Sequence, residues 1–159
     1  MGFRQSQLIQ HYWPLAALIL GLYLADVVYS IRNAQKYPDL LKKEDFMAFL
    51  PERWREIPAY SVMCISAAVF EEIVFRGFMV TYFIDPASTD IPWIAIFFPA
   101  ILFGMAHYYQ GLAAVLKIFV LSLLLAILFI QTKSLIWVMI IHFIIDFSGG
   151  LIAVVLPKK

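Results

Sequence analysis

One cysteine, Cys64, stands among 159 residues. A lone cysteine excludes an intrachain disulfide and has no partner for a CxxC metal pair. It lies in an apolar run and reads as a small buried core residue. Charge is also scarce: 12 Lys and Arg against 11 Asp and Glu give a formal net charge of +1. That balance offers no basic face for nucleic acid, and the Lys and Arg read as confined to loops and chain ends. The sequence has no HExxH pair of the kind zinc peptidases carry, no internal repeat, no low-complexity tract and no soluble domain. The missing repeat argues against the common transporter designs, although buried Glu and His also serve proton-coupled transport.

Apolar residues are what the chain has in abundance. They make up 63% of it, and the mean hydropathy is +0.84, whereas a soluble domain is about half apolar. The expected class is all-α: a polytopic membrane protein, one transmembrane domain over residues 1–159, built as a bundle of about five transmembrane helices. The apolar segments run from Tyr12 to Tyr29, Ile57 to Ile84, Pro92 to Tyr109, Leu112 to Ile130 and Leu135 to Leu156. Each approaches or exceeds the roughly 20 residues that cross a bilayer. The third is the weakest, because Pro92 and Pro99 threaten its first half. The first segment contains Asp26 and is followed by no small-residue cleavage site, so it reads as a helix and not a signal peptide. The residues Met1 to Ser6 fit the loose myristoylation pattern by chance. His11, Tyr12 and Trp13 read as an interfacial belt.

Arg32, Lys36, Lys42, Lys43, Arg53 and Arg55 cluster in the first connection, and Lys158 and Lys159 end the chain. The positive-inside rule therefore predicts that this connection and the C-terminus are cytoplasmic. Within the connection, LLKKEDFMAFLPERW reads as a short amphipathic surface helix.

Against this apolar background, three ionisable clusters fall inside expected spans: Glu71, Glu72 and Arg76; His107; and His142 with Asp146. Each charged group at mid-bilayer costs roughly 2.5–3.5 kcal/mol even on the lenient insertion scale, so such groups are expected to meet in the bundle interior. Glu72 and Arg76 are four residues apart, a favourable pairing on one helical face. Glu71 points about 100° away and has Val74 and Phe75 at the positions where a basic partner would sit. One carboxylate is thus neutralised and the other is available as a general base. Phe103 and His107 share a face of the third helix, where Gly104 and Ala106 admit a neighbouring helix. His142 and Asp146 share a face of the fifth, a spacing that suits an Asp fixing an imidazole tautomer or two ligands to one metal.

The stretches FEEIVFRGF, FGMAH and HFIID resemble, in order, the EExxxR, FxxxH and HxxxN/D motifs of the CAAX-processing and bacteriocin-immunity intramembrane protease family. The resemblance covers Val62 to Phe147. It implies a glutamic-type intramembrane endopeptidase that hydrolyses a peptide bond of a membrane-associated peptide or protein. In this chain Glu71 would activate water and His107 would orient it. His142 and Asp146 would lie near the oxyanion, while Glu72, Arg76 and Phe103 support the site. An ionised Asp146 would repel an oxyanion, so it is either protonated or a carboxylate that orients His142. No covalent intermediate is required, and Ser148 is the only nearby nucleophile. No cofactor is favoured. The alternatives are a zinc metalloprotease using Glu71, His107 and His142, or a non-catalytic bacteriocin-immunity or binding protein that keeps the motifs as a polar core. The chain has fewer helices than larger members, which implies a more open site or one covered by a homo-oligomer. Its compact size points to a prokaryotic cytoplasmic membrane.

Overall fold

The computed structural model describes residues 3–36, 50–84 and 92–155, with side chains described from residue 13 to residue 33 in the first stretch. The described residues are almost entirely helical. Helix α1 is Phe3–Lys36, α2 is Ile57–Glu72, α3 is Trp93–Ala106, α4 is Leu112–Thr132 and α5 is Leu135–Val155. A 3₁₀ turn, Trp54–Glu56, leads into α2, and a π-helical segment, Ile73–Val80, continues it without a break. Of the amphipathic helix expected over residues 40–54, residues 40–49 lie outside the described residues and residues 50–53 are not helical; the basic end at Lys158 and Lys159 and the side chains of His11 and Tyr12 also lie outside them.

Among the described residues, four spans are long and apolar enough to cross a membrane: Trp13–Asn33, Trp54–Val80, Leu112–Thr132 and Leu135–Val155. The chain is a multi-pass membrane protein. Helix α3 is the exception. At 14 residues and 1.5 Å per residue it covers about 21 Å, short of the roughly 30 Å hydrocarbon core. Pro92 is its N-cap and Pro99 lies inside it, so the prolines do not break it, and the helix is short because it stops at Ala106. His107 is its C-cap. The imidazole is part-buried at the end of this short helix.

The outward surface is apolar, with Phe78, Trp93, Met105, Leu116 and Ile136 all exposed, as lipid-facing side chains are. Inside, Ile19, Leu125, Leu128, Val138, Ile141 and Ile145 join α1, α4 and α5 in one cluster. Between α3 and α4 the approach is close: a Cβ on Gly104 would lie 3.2 Å from the Val115 carbonyl and 3.3 Å from the Phe119 Cβ. Gly104 therefore admits α4 as expected, whereas Ala106 is exposed. Between α2 and α5, Gly150 makes room for the Tyr60 ring, which occupies the space a Cβ would need. Cys64 is buried at 1% exposure.

Lys and Arg are not confined to loops and ends. Lys117 lies within α4 and pairs with Asp26 of α1 at 2.7 Å. Both side chains are about half exposed, so the pair contributes about 0–1 kcal/mol and serves mainly to set the register of α1 on α4.

Candidate active site

Along α2 the buried residues are Tyr60, Cys64, Ala68 and Glu72, one every four positions. This stripe faces α5. Tyr60 donates its hydroxyl to the Asp146 carbonyl at 2.9 Å, fixing α2 against the turn of α5 that carries Asp146. Glu72 ends the stripe with no exposed surface. Its Oε1 accepts from Arg76 Nη1 at 2.9 Å and from His142 Nδ1 at 2.7 Å. A carboxylate oxygen already bonded to a guanidinium is an acceptor only, so Nδ1 carries the imidazole proton. The group that fixes the His142 tautomer is thus Glu72, which also neutralises Arg76.

The other nitrogen, His142 Nε2, faces two carboxylates. Asp146 Oδ2 lies 3.3 Å away and Glu71 Oε2 lies 3.8 Å away. The latter exceeds hydrogen-bond length. The contact with Asp146 is a hydrogen bond only where Nε2 or the carboxyl carries a proton. Exposure separates the two glutamates: the Glu71 side chain is 32% exposed and Asp146 36%, against 0% for Glu72. Glu71 Oε2 has no hydrogen-bond partner among the described residues. The motif helix therefore presents one fully buried carboxylate bonded through Oε1 to Arg76 and His142 and a second, part-exposed one whose Oε2 is buried beside His142.

Arg76, on the π segment, is 1% exposed. Beyond Glu72 it reaches α4, where Nη2 donates to Ser122 Oγ at 2.9 Å and to the Ser122 carbonyl at 3.2 Å. Its guanidinium carbon sits 4.9 Å from the centroid of the Phe103 ring, within cation–π range. Phe103 also joins the two histidines. Its centroid is 4.8 Å from that of His107 and 6.1 Å from that of His142, and Phe75 packs edge-on against it at 4.8 Å. His107 Nδ1 donates to the Phe103 carbonyl at 2.7 Å, so its Nε2 is the unprotonated nitrogen. All seven residues singled out in the sequence thus belong to one connected cluster: Glu71, Glu72, Arg76, Phe103, His107, His142 and Asp146.

Ser148 does not join it. Its hydroxyl pairs with the Tyr23 hydroxyl at 2.9 Å and with the Ile145 carbonyl at 2.9 Å, on the α1 side of α5. Among the described residues, no three His, Cys, Asp or Glu side chains form a group that could hold a metal ion.

Across residues 53–148 the chain matches the family model described as type II CAAX prenyl endopeptidase Rce1-like. The chain is a member of the Rce1-like family. The matched stretch of this Rce1-like protein contains every residue of the polar cluster and excludes α1. Membership supports a peptidase of the CAAX-protease type. Comparison with curated proteins and with solved structures gave no match.

Two residues of the cluster's surroundings escaped the sequence reading. Ser122 is the one hydroxyl between Leu112 and Ile130, which is the signal that marks it. Tyr60 was marked by its four-residue spacing from Cys64, Ala68 and Glu72.

Proposed function

We propose that the protein is a glutamic-type intramembrane endopeptidase that cleaves a membrane-anchored peptide near its C-terminus. The observation that carries this reading is the contrast between the two glutamates: Glu72 is fully buried and bonded through Oε1 to both Arg76 and His142, whereas Glu71 is part-exposed, with Oε2 3.8 Å from His142 Nε2 and unbonded among the described residues. In the reaction Glu71 takes a proton from water as the water oxygen attacks the scissile carbonyl. His107 accepts a hydrogen bond from the same water at its unprotonated Nε2 and orients it. The oxyanion that forms accepts a hydrogen bond from a proton on His142 Nε2 or on Asp146, which turns from its neighbour to the developing charge. Collapse expels the amine, which takes the proton from Glu71. This is general base catalysis with donors placed where charge develops.

No metal enters this sequence of steps. The test is the purified chain in lipid nanodiscs, given a peptide with an S-farnesyl cysteine four residues from its C-terminus. Mass spectrometry is expected to find a released C-terminal tripeptide, at a rate unchanged by prior dialysis against EDTA and 1,10-phenanthroline. Activity lost on chelation and restored by zinc would transfer the reading to a metal site at Glu71, His107 and His142.

A further inference from the structure

Helix α4 carries none of the three motifs, yet it holds one end of an unbroken chain of hydrogen bonds that ends on His142. Ser122 accepts from Arg76 Nη2, Arg76 Nη1 donates to Glu72 Oε1, and the same oxygen accepts from His142 Nδ1. Every member is buried, with exposures of 1% for Ser122, 1% for Arg76, 0% for Glu72 and 5% for His142.

We propose that Ser122 is a positioning residue for His142, acting through Arg76 and Glu72. A guanidinium is a rigid planar fork, so the place where Nη2 is anchored dictates where Nη1 points. The Phe103 ring at 4.9 Å restrains the guanidinium from tilting out of its plane. Rotation within the plane is restrained only at its two anchored ends, Ser122 and Glu72. The Glu72 carboxylate in turn has no second anchor, because its Oε2 is buried with no hydrogen-bond partner among the described residues. Its orientation rests on the two bonds at Oε1, one to Arg76 and one to His142. Loosening the Ser122 end therefore moves the acceptor that holds the His142 ring, and with it the direction of Nε2 toward Asp146 and Glu71. The Ser122 carbonyl, at 3.2 Å, remains as a weaker hold, so the effect is graded.

The inference rests on His142 acting at the reacting carbonyl, and its test has a readout independent of activity. The chain has 3 histidines, so ¹⁵N-histidine labelling gives three imidazoles to assign by NMR in nanodiscs. In Ser122→Ala the His142 Nδ1 signal is expected to shift or broaden. With the farnesylated peptide, kcat is expected to fall about threefold to tenfold, the size of one lost hydrogen bond, at unchanged KM. Ser122→Thr keeps the oxygen and is expected to restore both. If Ser122→Ala does not accumulate, Ser122→Cys keeps the volume with a weak acceptor and is expected to show the same changes. Unaltered His142 signals and unaltered kcat in these variants would overturn the proposal. A Glu71→Gln variant as active as the wild type would sink the catalytic reading instead, and the NMR shift would still report on the positioning.

Discussion

Glu71→Gln is expected to abolish cleavage of the farnesylated peptide while leaving the bundle folded. The substitution is nearly isosteric and breaks no hydrogen bond, because Glu71 Oε2 has no partner to lose. It removes the carboxylate that would take the proton from water. General bases contribute about 10²–10⁴-fold in rate, so kcat is expected to fall by at least about a hundredfold. Thermal unfolding in detergent is expected to change little, since the side chain is 32% exposed and its contact with His142 Nε2, at 3.8 Å, exceeds hydrogen-bond length. A variant that still processes the peptide at the normal rate would leave the cluster as a polar core without a base. That outcome would favour the non-catalytic reading.

The second large effect concerns stability. Arg76→Ala leaves the fully buried Glu72 without its counter-charge. Breaking a buried pair from one side costs about 3–5 kcal/mol, a large part of the whole stability of a domain. The variant is expected to accumulate poorly and to unfold at a much lower temperature in detergent. Replacing both partners, as Glu72→Leu with Arg76→Met, is expected to recover most of the lost stability, because an apolar pair of similar volume avoids the desolvation penalty. Activity is expected to stay low in the double variant. His142 Nδ1 loses the oxygen it bonds at 2.7 Å, and the imidazole is free to rotate or to exchange tautomers. Recovery of both stability and activity would contradict the assignment of Glu72 as the group that orients His142.

The helices and their family were legible because hydrocarbon is an unforgiving solvent. Long apolar runs mark the spans, and Glu71, His107 and His142 stand out because few polar groups share their surroundings. The Glu72–Arg76 pair followed from i,i+4 geometry alone, and it forms at 2.9 Å even though the backbone turns π-helical at Ile73. The π segment itself was not legible, since IVFRGFMV is as apolar as any α-helical run beside it. Nor was the shortness of α3: Trp93–Ala106 is flanked by Tyr108 and Tyr109, whose apolar rings extend the hydropathy signal past the point where the helix stops. The bond from Glu72 to His142 spans 70 positions of sequence, and no local spacing rule reaches that far. Spacing placed Asp146 beside His142 on one face, and the two do meet at 3.3 Å. It said nothing of a carboxylate arriving from α2 at the other nitrogen.

The two glutamates sit in different surroundings, and the proposed mechanism gives them different work. Glu72 is bound at Oε1 by an arginine and a histidine and is sealed from solvent, while Glu71 stands part-exposed at the edge of the same cluster. The measurement that tests this division most directly is an experimental structure in a lipid nanodisc at a resolution that shows ordered water. The account predicts density for one water within about 2.6–3.2 Å of both the Glu71 carboxylate and His107 Nε2, with Glu72 still on His142 Nδ1. A strong peak held at about 2.0–2.2 Å by Glu71, His107 and His142, or a Glu71 turned away from both histidines, would contradict it.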